Sequence, residues 1–264
     1  MYPRIADIYG PIAIHSYGLA IVLGLICALY FLRTHPTRKK LISETHFYTL
    51  ISWSILAGLI GGHLMYVFTE VQSINDYWHA ITIGEGFGLS ILGTILGVLV
   101  FLIFYLRHHK IPVLHFLDMI APYAALAQAF GRVGCFFAGC CYGAPTAVAW
   151  AVTFTNPEGA APLCIALHPS QLYSAGLLFL LFLLMHFFFQ HLLKKPGQQF
   201  MLYLFFVNII RFVTDFFRGD RTIRAFIARD ITIEFSYYQW IALTLAAVSL
   251  ILLLACTYQK RKTT

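Results

Sequence analysis

Charged residues are scarce in this chain, at 11% of 264 positions, while hydrophobic residues reach 59%. So thin a polar complement excludes a soluble globular domain and fits a polytopic membrane protein whose first partners are lipids. Internal repeats and low-complexity linkers are missing too, which leaves a single transmembrane domain over residues 1–264. No charged start leads into a short apolar stretch with a small-residue cleavage site, so the first long apolar run reads as a span rather than a leader. The spans hold few acidic residues and no charged series able to relay ions, which argues against a channel or transporter. The six cysteines, at positions 27, 135, 140, 141, 164 and 256, form no disulfide scaffold, and Cys27 and Cys256 lie inside apolar runs where a buried thiol is ordinary.

What is present is apolar length. A span needs about 20 mostly apolar residues, and seven stretches fit an all-α fold: about 12–32, 46–68, 89–106, 111–130, 171–193, 200–217 and 238–258. The fourth runs on into a glycine-rich stretch and carries Pro122, a place for a kink. Polar residues gather in connections at about 70–88, 143–170 and 218–236.

Lysine and arginine are unevenly shared between the two sides. Eleven (Arg33, Arg38, Lys39, Lys40, Arg107, Lys110, Lys194, Lys195, Lys260, Arg261 and Lys262) fall on one side. Five (Arg4, Arg218, Arg221, Arg224 and Arg229) fall on the other. The positive-inside bias then puts the amino terminus outside, the carboxyl terminus in the cytoplasm and the long connections outward. Because the positive charge sits in such short clusters, the net charge of +7 reads as a topology signal and not as a nucleic-acid surface. The outer arginines after the sixth stretch run against the bias. They form either a solvated loop offset by Asp220, Asp230 and Glu234 or a phospholipid headgroup site, since guanidinium forks match phosphate oxygens.

The densest chemistry lies at Gly131-Arg132-Val133-Gly134-Cys135-Phe136-Phe137-Ala138-Gly139-Cys140-Cys141-Tyr142-Gly143. An arginine here should face the protein interior and meet a carboxylate or phosphate, while its glycines allow close approach or a helix stop. Gly131-Arg132-x-Gly134 with Gly139 and Gly143 resembles the signature of the prolipoprotein diacylglyceryl transferase family, Gly-Arg-x-Gly-Asn-Phe-x-Asn-x-Glu-x-x-Gly. His168-Pro169-Ser170-Gln171-Leu172-Tyr173, Arg211-Phe212-x-x-Asp215-Phe216-Phe217-Arg218 and Ser16-Tyr17-Gly18 are similar to further motifs of that family, in the same order. So are Asp118-x-x-Ala121-Pro122 and Gly61-Gly62-x-Leu64-x-Tyr66.

The resemblance implies a multi-pass protein of the bacterial cytoplasmic (inner) membrane that works on its outer side. The implied reaction moves a diacylglyceryl group from phosphatidylglycerol to the thiol of an exported prolipoprotein, releases glycerol phosphate and uses no cofactor. It makes Arg132 and Arg211 phosphate ligands and puts Tyr17, Gly131, Gly134, Gly143, His168, Gln171, Tyr173, Asp215 and Arg218 around the substrate. Arg211 also has a plain alternative, an ion pair with Asp215 four residues on. His168, before a proline at a span start, reads as mainly structural with headgroup contact second, the two tyrosines could serve packing alone, and Ser170 and Gln171 could cap the fifth span.

The chain departs from the pattern in places. Cys135, Ala138 and Cys140 replace the family's Asn, Asn and Glu, Leu92 stands where it has a histidine, and His63 where it has an arginine. His63 is the substitute proton acceptor by its imidazole range, or else a core histidine bonded between helices. For Cys135, Cys140 and Cys141 a disulfide, with Cys164 as a further partner, or plain packing comes first. A covalent nucleophile comes second and a soft-metal site last, because the spacing does not match paired Cys-x2-Cys zinc sites. The departures also leave open a non-catalytic lipid-binding or lipid-moving protein on the same scaffold.

Overall fold

The computed structural model describes residues 2–9, 12–70, 88–221, 223–228 and 231–258. They fall into two compact units, Met1–Thr34 with Leu117–Thr264, and His35–Phe116. Most of the connection at 70–88 lies outside the described residues. Six helices are long and apolar enough to cross a membrane, and side chains such as Ile26, Val100, Phe104, Phe187 and Ile251 stand exposed on them. A surface of this kind suits hydrocarbon and not water. The chain is a multi-pass membrane protein.

In the first unit, strands β1 (Arg4–Tyr9) and β2 (Ile12–His15) pair antiparallel before helix α1 (Ser16–Thr34). The apolar run from Ile12 suggests an earlier helix start. Hydropathy alone does not separate a strand from a helix, and the start is fixed by Ser16, whose N–H and hydroxyl both donate to the Pro3 carbonyl at 3.0 and 3.2 Å. In the second unit, helix α2 (Pro36–Leu41) is capped by His35, whose ring nitrogen accepts from the Thr37 N–H at 3.2 Å. Buried Arg38 lays its guanidinium 5.3 Å from the centre of the Phe47 ring.

Helices α3 (Glu44–Glu70) and α4 (Ile91–His108) make the closest helix pair of the second unit. A Cβ on Gly61 would sit 2.6 Å from the Gly93 carbonyl oxygen, one on Gly93 2.3 Å from that of Gly61, and one on Gly97 2.4 Å from that of Ala57. Ala57-xxx-Gly61 and Gly93-xxx-Gly97 thus let two backbones touch, the small-residue device of helix association in lipid.

Helix α5 (Val113–Ala138) carries the glycine-rich stretch. Its Asp118 carboxylate accepts from the N–H groups of Gly197 and Phe200 at 2.6 and 2.8 Å. It thereby satisfies the start of helix α7 (Gln198–Asp215), where exposed amides and the helix dipole favour an anion. Between them, after short strands β3 (Val152–Thr153) and β4 (Ala166–Leu167), helix α6 (Ser170–Leu192) contains a π-helical turn at Met185–Phe189. His186 in that turn meets the Tyr123 hydroxyl at 3.3 Å.

With 18 residues that include Gln198, Gln199, Asn208, Arg211 and Asp215, α7 falls outside the six most apolar helices. Strands β5 (Ile223–Ala228) and β6 (Ile231–Ser236) form a hairpin that leads into helix α8 (Tyr237–Tyr258). The ammonium of Lys195 donates to the carbonyls of Cys256 and Thr257 at 3.0 and 2.7 Å, a cation at the carboxyl end of α8.

Gly93→Ala should lower the thermal midpoint of the detergent-solubilised protein, because a backbone oxygen cannot step aside; overpacking of this kind costs about 1–3 kcal/mol. Gly176→Ala, where a Cβ meets nothing within 4 Å, should leave the midpoint unchanged or slightly raised.

Candidate active site

Glycine allows a helix stop at Gly131, yet α5 continues to Ala138, and the turn comes at Gly139 with φ of +73°. Gly131 faces open space. Gly134 does the reverse, since a Cβ there would lie 2.9 Å from that of Ala20 and 3.2 Å from the Tyr17 carbonyl oxygen, so its lack of a side chain lets α1 close on α5. Beyond the turn, the Cys140 N–H returns to the Cys135 carbonyl at 3.1 Å, and Cys141 adopts a φ of +56°.

Two side chains of α6 hold this turn. The Gln171 amide nitrogen donates to the Cys140 carbonyl at 2.9 Å and the Ser170 hydroxyl to that of Cys141 at 3.0 Å. Neither caps its own helix, whose N-terminal position Pro169 has no side-chain cap. A cap would have their side-chain oxygens accept from amides of their own helix, whereas here both side chains donate to carbonyls of the cysteine turn.

Gly143 and Arg218 pair as an antiparallel bridge, closed by Ala144 N–H to Phe217 carbonyl at 2.8 Å and Gly219 N–H to Tyr142 carbonyl at 3.0 Å. Only glycine fits at position 143, where a Cβ would lie 2.1 Å from the His168 carbonyl oxygen. His168 and Tyr173 brace the bridge: their side chains meet at 3.2 Å, the Trp150 indole donates to the Tyr173 hydroxyl at 2.7 Å, and both rings pack at 5.4 Å on Phe217. Their polar atoms face each other within the scaffold that positions Arg218.

Four arginines surround this scaffold in different ways. Arg211 binds Asp215 at 3.0 Å, one helical turn on, and lies over the Tyr238 ring. Asp215, only 2% exposed, also accepts from the buried Ser236 hydroxyl and has Arg221 at 3.9 Å. Arg221 in turn donates to Gln239 at 2.9 Å. Sequence reading misses Ser236 and Gln239 as site residues, and it counts Arg221 among the outer arginines of a headgroup site or solvated loop without finding its partners Asp215 and Gln239. Arg218 is forked onto Asp220 through two nitrogens. Burial opposes its charge, but that fork and the Cys141 sulfur raise its pKa above the usual arginine range.

Arg132 differs from these three. Half-buried at the end of α5, it makes no hydrogen bond or ion pair among the described residues. Its charge nevertheless acts on Tyr17, on Cys141 and on Arg211, and Arg211 also senses Arg218. Three guanidinium groups therefore share one region beside the thiols.

The sulfurs of Cys135, Cys140 and Cys141 lie within 4.8 Å of one another, Cys135 buried and the others half-buried. No disulfide joins them: all six cysteines are free, and exposed Cys164 stands outside the cluster. Hydrogen bonding with Cys135 and Cys140, then the charges of Arg218 and Arg132, hold the Cys141 thiol well below its ordinary range despite burial. The same bonding, with Cys135 and then Cys141, pushes Cys140 up.

Next to Gly134, an apolar groove of about 570 Å³ runs between α1, α5 and the N-terminal hairpin, lined by Leu19, Leu23, Phe130, Val133 and Phe137 among others. His63 belongs to the second unit, on α3. There its ring stacks on Tyr66, and Nδ1 donates to the Gly88 carbonyl at 3.2 Å.

Residues 3–255 match the family described as prolipoprotein diacylglyceryl transferase. A phosphatidylglycerol–prolipoprotein diacylglyceryl transferase of Clostridium tetani (strain Massachusetts / E88) is 37% identical over 223 residues, covering 83% of this chain and 86% of the relative. A second, numbered 2, from Clostridium perfringens (strain 13 / Type A) is 33% identical over 217 residues, with 82% and 83% covered. One from Marinomonas sp. (strain MWYL1) is 29% identical over 249 residues, with 91% and 86% covered.

The Arg211–Asp215 contact should behave as a coupled unit. Asp215→Ala should destabilise the protein in detergent, and a double-mutant cycle with Arg211→Ala should return a coupling of about 0.5–3 kcal/mol. Additive midpoint shifts would mean that the pair contributes nothing.

Proposed function

Since the chain belongs to the prolipoprotein diacylglyceryl transferase family, we infer that it moves a diacylglyceryl group from phosphatidylglycerol to the cysteine thiol of an exported prolipoprotein. It is a membrane-embedded transferase of lipoprotein biosynthesis. In the reaction the acceptor sulfur bonds to the lipid carbon that carries the phosphate, the carbon–oxygen bond breaks, and glycerol phosphate leaves with the electron pair. The acceptor thiol gives up its proton.

The observation that carries this reading onto named residues is Arg132, a half-buried guanidinium with no protein partner among the described residues, in the common field of Arg211 and Arg218. A fixed cation at the phosphate neutralises charge that grows as glycerol phosphate departs, and it acts most strongly where water is excluded. Arg211 and Arg218, already held by Asp215 and Asp220, add a preset positive field. The same field favours the acceptor's thiolate, so ionisation needs less help from a dedicated base. Open space at Gly131 leaves room for the headgroup, and the apolar groove beside Gly134 suits an acyl chain. Tyr17 lies within the field of Arg132.

Gln171 and Gly143 act indirectly in this reading, through the cysteine turn and the bridge to Arg218, as do His168 and Tyr173. Cys135 and Cys140 form no covalent intermediate, because a diacylglyceryl thioether on either would be too stable to pass the group on. In this reading α7 is also a span, the sixth of seven, the amino terminus and the three long connections lie outside the cytoplasmic membrane of a bacterium, and the carboxyl terminus lies inside.

Purified protein in phosphatidylglycerol vesicles with a peptide bearing a lipobox cysteine should release glycerol phosphate and form a thioether-linked diacylglyceryl peptide; vesicles of phosphatidylethanolamine should give neither. Arg132→Ala should slow the reaction by about 100-fold or more, and Arg132→Lys should recover part of it by restoring charge without the fork. An undiminished rate in Arg132→Ala would overturn the assignment.

A further inference from the structure

We propose that Cys135, Cys140 and Cys141 form a three-coordinate binding site for a soft monovalent cation of the copper(I) class. The three sulfurs already lie within 4.8 Å of one another. A metal bonded to each at about 2.3 Å would hold them about 4 Å apart, a closure of side-chain rotations only. The backbone is set for it. Gly139 reverses the chain after α5, the Cys140 N–H bonds to the Cys135 carbonyl, and Gln171 and Ser170 fix the next two carbonyls. These clamps are the kind of outer support that orients metal ligands.

Ligand type, number and charge select the ion. Thiolates prefer soft metals, and among the described residues no histidine or carboxylate atom joins the three sulfurs. Zinc ordinarily takes four ligands, whereas three suffice for copper(I). Three thiolates around a single positive charge leave two negative charges, and the nearby positive charges of Arg218 and Arg132 act on Cys141 in the direction that favours such an anionic group. Each thiol releases its proton as the metal binds, and no electron is transferred. Binding at these sulfurs does not rest on the transferase reading.

The full chain, reduced and kept under anaerobic conditions in detergent, should be titrated with copper(I) against a chromophoric competitor. One copper per chain should resist the competitor, and X-ray absorption should show three sulfur neighbours and no nitrogen. Cys141→Ser should weaken binding by at least about 100-fold, since even outer-shell changes cost 10–100-fold, and Cys27→Ser should leave it unchanged. In the wild-type protein, bound copper should protect Cys135, Cys140 and Cys141 from maleimide and leave Cys164 reactive, a readout that needs no variant to fold. Failure to retain one copper, nitrogen neighbours, or equal labelling with and without copper would each overturn the site.

Discussion

Guanidinium charge brought to the ends of helices in a low-dielectric surround is the constraint on which the first unit depends. Charge of this kind persists in a membrane only with an anion beside it. Asp215 serves Arg211 and Arg221, with Ser236 supporting the carboxylate, and Asp220 serves Arg218. Arg132 completes the group without such a counterion among the described residues. The scaffold around it, from the Gly143–Arg218 bridge to the Ser170 and Gln171 clamps, keeps the positive groups near one another despite their repulsion. Under the proposed function, an anionic headgroup would relieve that repulsion at Arg132, the one of the four that has no carboxylate beside it among the described residues.

Much of the fold is legible in the sequence because hydrocarbon imposes length and apolarity together. The apolar run of 46–68 and helix Glu44–Glu70 describe nearly the same segment, as do 238–258 and Tyr237–Tyr258. Legibility fails where the signal is not hydropathy. Ile12–His15 is as apolar as a helix start, but pairs with Arg4–Tyr9 instead. Gly131 can end a helix, but a neighbouring helix supports α5 as far as Ala138, and the positive φ falls at Gly139. The π-helical turn around His186 leaves no local sequence pattern, because it depends on what packs against it.

The candidate site divides along the same line. Arg132, Arg211 and Arg218 are conspicuous because charge is rare in the chain, and the helical spacing of Arg211 and Asp215 already suggests their contact. Ser170 and Gln171 have the look of capping residues, yet their bonds cross to a turn about 30 residues earlier in the chain, which only the tertiary fold reveals. Gln239 and Ser236 carry no charge and lie at the start of an apolar helix, so nothing local marks them as the support of Arg221 and Asp215. The three cysteines are visible as a cluster in sequence. Their convergence needs the reversal at Gly139, and that turns a spacing unlike common zinc sites into a compact set of sulfurs.

The central claim is that a lipid phosphate supplies the anion for Arg132. Solid-state NMR on arginine-labelled protein in phosphatidylglycerol bilayers, measuring dipolar coupling between guanidinium nitrogen and headgroup phosphorus, tests it most directly. The account predicts strong coupling in the wild-type protein and its loss in Arg132→Ala. Coupling that survives that substitution unchanged, or that is absent from the wild-type protein, would contradict it.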